Sequence, residues 1–413
     1  MAGDILLWRF PWRLGGLIVE EKNEKWNNIF KKSISYIIVA ALASALTLFI
    51  FGASQKNQFG KLRELKNVID RMFIGEVDEA YMDDIMAAAM VASLDDQWSY
   101  YVPADQYQVY EEQHTNSYVG IGVTIQILEN NGGFQVQQVE PDSPAKEGGI
   151  LPGDVIVAVD GKYVTEIGSD AAQTMISGNA GTKVSITVLR DGQEMTMELT
   201  RQSILREVAS GKMVTDTIGY IQISNFNERC AQETKAIFAD LENQGAKAMI
   251  FDVRFNPGGY VSEMVEVLDF LLPSGVLFRS EDYLGRTQEE TSDAACKDMP
   301  MAVLINGDSV SAAEFFAAAL TEYDYAVTVG QPTLGKGYFQ QGIELSDGSL
   351  VNLSVGKYFT PKGVSLAEVG GLQPDIPIDV DEETMAEIYS ETLAPEEDAQ
   401  LQAAITELQK QLG

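Results

Sequence analysis

Residues 246–272 read AKAMIFDVRFNPGGYVSEMVEVLDFLL, and this stretch decides the fold. AKAMIFDVR is a short apolar run of strand type, NPGG is a turn, and VSEMVEVLDFLL carries apolar residues at helical spacing. The flanking stretches repeat the order. IGYIQISNF is strand-like, ETKAIFADLENQ helical, MAVLIN a strand, AAEFFAAALTEY a helix and AVTVG a strand. Such alternation predicts βα units covering a sheet, so residues 202–380 are read as an α/β core.

Upstream, residues 113–201 change texture. VGIGVTIQIL, GGFQVQQV, GDVIVAVDG, TKVSITVLRDG and EMTMELTR are β-rich runs between glycines, with one helix predicted at SDAAQTMISG. In VGIGV, two glycines at a strand start let successive N–H groups cup an anion, and the following strand can pair with an extended peptide. Val119, Gly120, Ile121, Gly122 and Val123 are therefore the candidate peptide-binding residues; a β module without a ligand is the alternative. Residues 56–112 read as a helical region, in which SLDDQWSYYVPADQYQVYEE mixes turn formers with aromatics. Residues 381–413 read as acidic helices whose Asp and Glu run is a solvated face.

The chain has 413 residues, enough for two or three domains. Its formal net charge of −32 argues against nucleic acid as a partner, because phosphate binding needs clustered Lys and Arg. Cys230 and Cys296 are too few for a disulfide framework or a zinc site and are read as two unpaired buried thiols. A Ser-His-Asp or Cys-His enzyme would have to use the single histidine, His114. That residue sits in EEQHTNSY, read as a solvent-exposed connector.

No charged residue occurs from Ser33 to Gln55, a run long enough to cross a hydrocarbon core as a helix. Lys31 and Lys32 flank one end and Lys56 the other. The expectation is an uncleaved, single-pass signal anchor in the cell membrane, with residues 1–32 as a cytoplasmic tail and the large C-terminal part extracytoplasmic. A cleaved signal peptide is the alternative.

Residues 307–340, GDSVSAAEFFAAALTEYDYAVTVGQPTLGKGYFQ, leave two readings open. In the first, Ser311-Ala-Ala-Glu314 is a capping box ahead of an apolar helix. Lys336 in GQPTLGKG matches a P-loop until Gly337, where Ser or Thr is required; an extended run follows in place of a helix, so nucleotide binding is rejected. In the second reading the stretch holds two halves of an active site. A lysine amine kept neutral by burial can activate a serine, and glycines on both sides of Lys336 let the backbone pack closely around it. Ser311 would then sit at a helix N-terminus, where free N–H groups favour a developing oxyanion. The NPGG turn is either an ordinary strand-to-helix turn or, through the Gly258 N–H, a second oxyanion donor.

FDVRFNPGG, NGDSVSAAEFFAAAL, VGQPTLGKGYFQ and TPKGVSLAEVGGLQPDI, with SLDDQWSYY ahead of the β domain and DAQLQAAI near the end, resemble the carboxy-terminal processing (tail-specific) proteases over residues 60–410. Through SPAKEGGILPGDVIVAVDG the β domain resembles a circularly permuted PDZ domain. With the transmembrane helix read above from residues 33–55, the resemblance implies a multidomain α/β architecture that continues as N-terminal helical segment, PDZ β domain, ClpP/crotonase-like protease core and C-terminal helices. It implies a serine endopeptidase needing no metal or cofactor, acting on proteins or peptides whose free C-terminus the PDZ domain captures. The nucleophile would be Ser311 and not Ser309, the base Lys336, its orienting partner Gln340, and the oxyanion donors the backbone of Gly258 and Ala312. There are departures from the family pattern. Val310 and Ala313 flank the serine, Tyr338 and Phe339 follow the lysine loop, and Ile176-Ser177-Gly178 lacks the arginine that links PDZ domain and protease in many members. The last predicts altered gating, so a partner-activated protease or a tail-binding scaffold is the alternative, with a homo-oligomer or an activating partner as the expected assembly.

Overall fold

The computed structural model describes residues 36–44, 59–129, 132–293 and 295–413. The expected tail 1–32 and most of the expected membrane segment 33–55 lie outside these residues; among the described residues no helix is long and apolar enough to cross a membrane. The chain divides into two compact units, one ending at Asp83 and one starting at Asp84. In the first, helix Gly60–Met72 places Lys66 between Asp70 (2.6 Å) and Glu79 (2.8 Å) and leaves Leu65, Val68 and Met72 exposed.

The second unit is built on a six-stranded sheet in the order Ala209–Met213, Ile218–Ile223, Ala248–Asp252, Met301–Ile305, Ala326–Gly330, Ile376–Pro377. All neighbours run parallel except the first pair. Parallel neighbours need crossover connections, and helices Cys230–Gln244, Val261–Leu271 and Ala312–Glu322 supply them. Every residue of Ala248–Asp252 is buried because both faces of the sheet are covered. Met249 and Phe251 pack with Phe238, Leu268, Phe315 and Phe316 under the crossover helices. Ala248 and Ile250 alternate to the other face and meet Leu401, Ala404 and Leu408 of helix Ala399–Leu412. Each large apolar side chain so buried contributes about 1.5–3 kcal/mol.

The acidic C-terminal segment is thus not wholly a solvated face. Asp398 is buried, accepts the N–H groups of Gln400 and Leu401 at the start of the last helix, and pairs with Arg254 at 2.9 Å. Arg254 also bonds Asp252 and, through Nη1, Gln400 Oε1 at 3.0 Å.

A second sheet surrounds strand Leu350–Phe359. Tyr338–Glu344 pairs with one edge, and Tyr100–Val102 and Gly275–Asp282 share the other, with Thr287–Ser292 outermost. The aromatic stretch read as part of a helical region therefore supplies a strand of the core, with Tyr100 opposite Asn352.

Residues 123–200 fold over a core of their own. Strands Val123–Ile127, Phe134–Val139, Val155–Val159, Lys183–Arg190 and Gln193–Thr200 form an antiparallel sheet in that order. Phe134, Ile156, Ile186 and Leu199 pack with Ala172 and Ile176 of helix Ser169–Ile176. The entry and exit strands, Ser117–Gly120 and Gln202–Leu205, pair antiparallel.

Candidate active site

Strand Met301–Ile305 delivers the chain to Ser309 and Ser311, and the two serines have different fates. Ser309 is fully buried; its hydroxyl donates to Val253 O at 2.8 Å and accepts the Asn306 N–H at 3.0 Å, so it is bound into the turn. Ser311 takes φ 56°, ψ −119°, a left-handed conformation costing about 1–3 kcal/mol for a non-glycine residue. It stands at the N-cap of helix Ala312–Glu322, as the S-x-x-E spacing predicts, and Glu314 Oε2 accepts its N–H at 2.8 Å. Capping and catalysis are therefore compatible roles for this residue.

Glu314 does more than cap. It is fully buried, and its Oε1 accepts the Thr333 hydroxyl and the Gly335 N–H, each at 2.6 Å, while Oε2 also accepts the Lys336 N–H at 2.9 Å. One carboxylate thus ties the Ser311 backbone to the Lys336 backbone. Burial pushes its carboxyl above the ordinary range, against the pull of its four donors. Sequence reasoning assigned Glu314 only the capping role; the same spacing was its sole signal.

The Lys336 side chain is half-buried, with Nζ 4.5 Å from the centre of the Trp98 ring. Burial lowers its amine from the ordinary value, while the Glu314 and Asp96 carboxylates act to raise it. Ser311, Lys336, Gly258, Gln340, Trp98 and His114 line one cavity of about 720 Å³. Gly258 is the point where the NPGG turn meets the serine. A Cβ there would lie 2.9 Å from Ser311 Cβ and 3.1 Å from Ala312 N, and its φ of +96° suits glycine alone.

A serine at a strained helix start is thus joined, through a buried carboxylate, to the backbone of a half-buried lysine at one cavity. Comparison with known proteins identifies the family. The sequence profile of Peptidase family S41 matches residues 217–378 and that of the PDZ domain matches 119–200. The carboxy-terminal processing protease CtpA of Bacillus subtilis is 33% identical over 82% of this chain and 75% of its own length. The carboxyl-terminal-processing protease of Synechocystis is 32% identical over 76% of this chain and 74% of its own.

The chain belongs to peptidase family S41, the carboxy-terminal processing proteases.

An S41-type protein from Bacteroides fragilis shares the fold, with a TM-score of 0.51 at 17% identity over 82% of this chain and 92% of that one. The other residues expected at the site of the peptidase make the following contacts. The Gly258 N–H, expected at the oxyanion, donates to Asn256 Oδ1 at 2.9 Å. Gln340, expected to orient the lysine, gives its amide N–H groups to Ser354 Oγ at 3.0 Å and Tyr338 O at 3.2 Å. Ala312 opens the helix directly after Ser311.

His114 is no exposed connector. It ends helix Tyr107–His114, half-buried, with Nδ1 donating to Tyr110 O at 2.8 Å and its ring 4.1 Å from that of Tyr110. Of the two cysteines, Cys230 is buried but Cys296 is exposed, which corrects the expectation of two buried thiols.

In the PDZ domain, Val119 and Gly120 are in the ladder with Ser203 and Gln202. Ile121 is buried and its carbonyl accepts the Ala145 N–H; Gly122 turns at φ +78°. Val123 opens the edge strand Val123–Ile127, which pairs on one side with Phe134–Val139 and has no strand on its other side among the described residues. The end of helix Ser169–Ile176, followed by Ser177, is closed from a distant strand end. Arg201 donates to Met175 O at 2.6 Å and Ile176 O at 2.8 Å.

Proposed function

We propose that this peptidase is a Ser-Lys endopeptidase that takes hold of substrate tails with its PDZ domain. Neutral Lys336 removes the Ser311 hydroxyl proton as Oγ attacks the scissile carbonyl, then delivers it to the leaving amine. The Ala312 N–H at the helix N-terminus and the Gly258 N–H are the oxyanion donors, and Gln340 supports the base from across the cavity. The open edge at Val123–Ile127, behind the Val119–Val123 loop, receives a free C-terminus as an added strand. The observation that carries this reading is the Glu314 carboxylate bonded to the backbones of both Ser311 and Lys336 at one cavity. Residues 33–55 anchor the enzyme in the cell membrane with the peptidase outside the cytoplasm.

A partner-activated form of this enzyme is favoured by one observation. The Gly258 N–H is engaged by Asn256 and must be released to hold an oxyanion. The test uses the full chain and an unfolded protein with an apolar, uncharged tail, with fragments followed by mass. Ser311→Ala and Lys336→Met each abolish cleavage while circular dichroism stays unchanged. Full turnover by the lysine variant refutes the Ser-Lys assignment. Turnover that appears only with an added partner supports the activated form.

A further inference from the structure

The Asp96–Trp98 turn lies outside the motifs that carry the serine and the lysine, yet it forms one wall of the base. Nζ of Lys336 sits 4.5 Å from the indole centre, well within cation–π range. The backbone that carries the indole is held. Asp96 accepts the Trp98 backbone N–H at 3.2 Å and the Ser99 hydroxyl at 2.6 Å. Ser99 Oγ in turn accepts the Ser354 N–H at 3.0 Å, and Ser354 Oγ accepts from Gln340 at 3.0 Å. Two residues after the indole, Tyr100 is locked in register with Asn352. The turn is therefore bolted to strand Leu350–Phe359, which fixes the backbone from which the ring projects. Gln340 reaches this turn through Ser354, so its connection to the lysine is indirect.

We propose that Trp98 and Asp96 are positioning residues for the base, the indole face seating Nζ and keeping water from it while Asp96 holds the turn that carries the ring. This rests on the Ser-Lys reading and assigns that site two residues with opposed effects. Removing the ring lets water reach the amine, and because burial is the largest influence on Lys336 this gain for the ammonium exceeds the cation–π attraction lost with the indole; removing the carboxylate charge favours the free amine. The charged groups acting on Lys336 are Asp96 and Glu314, with Glu112, His114, Arg206 and Glu207 farther around the same cavity.

The experiment is the pH profile of kcat/KM for the full chain cleaving an unfolded protein. Competitive acetylation of Lys336, read by peptide mass, reports the amine's ionisation without turnover. Since neutral lysine is the base, activity rises with pH through its titration. Trp98→Ala is expected to move that rise up by about one pH unit, about a tenfold loss at neutral pH, and Trp98→Phe to restore most of it. Asp96→Asn is expected to move it down. A general loosening of the site would not shift the two variants in opposite directions. Profiles and labelling curves that coincide with wild type, or that move the same way in both variants, overturn the proposal. If Lys336→Met keeps full turnover, the Ser-Lys reading itself has failed; if Lys336→Met is inert and the Trp98 and Asp96 profiles do not move, only this proposal has failed.

Discussion

Glu314→Gln is a one-atom change whose cost can be worked from the geometry. The carboxylate accepts four donors, two on each oxygen: Thr333 Oγ1 and Gly335 N on Oε1, Ser311 N and Lys336 N on Oε2. Glutamine keeps one accepting oxygen and presents an NH2 on the other side. Its better orientation leaves the oxygen with Ser311 and Lys336 and turns the NH2 toward Thr333, whose hydroxyl can rotate, and toward Gly335, whose N–H cannot. One buried N–H is then unpaired, at about 1–3 kcal/mol. The opposite orientation leaves the Ser311 and Lys336 N–H groups unpaired, roughly twice that cost, and places it on the two segments proposed to bear nucleophile and base. The expected outcome is a loss of about 1–3 kcal/mol in stability, read from the urea midpoint at unchanged m-value, and a kcat lower by about tenfold or more. Glu314→Asp, which retains the charge but shortens the reach, should fall in between. A glutamine variant with wild-type midpoint and wild-type kcat would refute the claim that this carboxylate joins the two halves of the site.

Other perturbations have equally definite outcomes. Gly258→Ala forces a Cβ to 2.8 Å from Val310 O at a φ of +96°, so cleavage should be lost along with about 1–3 kcal/mol of stability, read by turnover and thermal melting. Asp398→Ala removes a helix cap and one charge-assisted bond to Arg254, together about 3 kcal/mol, read as a lower urea midpoint. In thiol titration of the native protein, Cys296 should react at once and Cys230 only on unfolding, because Cys230 is buried and burial pushes its thiol up.

Much of the chain was legible as sequence. Local patterns set the βα alternation, because a strand buried on both faces must be apolar throughout, as Ala248–Asp252 is, and a crossover helix must show a period near 3.6. The β-rich runs between glycines marked the PDZ strands for similar reasons. The S-x-x-E spacing placed Ser311 at a helix start, since capping is a local affair between a residue and the third after it. Ser309 and Ser311, adjacent in one small-residue turn, were separated by family resemblance and not by local physics. In the folded chain the distinction is direct: Ser309 is spent on Val253 O, while Ser311 lines the cavity.

What escaped the sequence depended on chain segments that are distant in order and adjacent in space. Asp398 looked like one carboxylate of an acidic tail; only the packing of the last helix on the sheet brings it to Arg254. His114 looked like a polar connector and proved to line the cavity. Trp98 sits over Lys336 because Tyr100–Val102 adds to the edge of Leu350–Phe359, a pairing between segments that carry no local record of each other. The sequence by itself determined the elements, the two folding cores and the residue types able to do acyl-transfer chemistry, because those follow from periodicity, turn residues and short-range capping. Only the tertiary structure decided which carboxylate joins the Ser311 and Lys336 backbones, which ring lies beside the lysine amine and which N–H groups are already taken. Burial and hydrogen-bond satisfaction belong to the assembled chain, and no segment carries them alone.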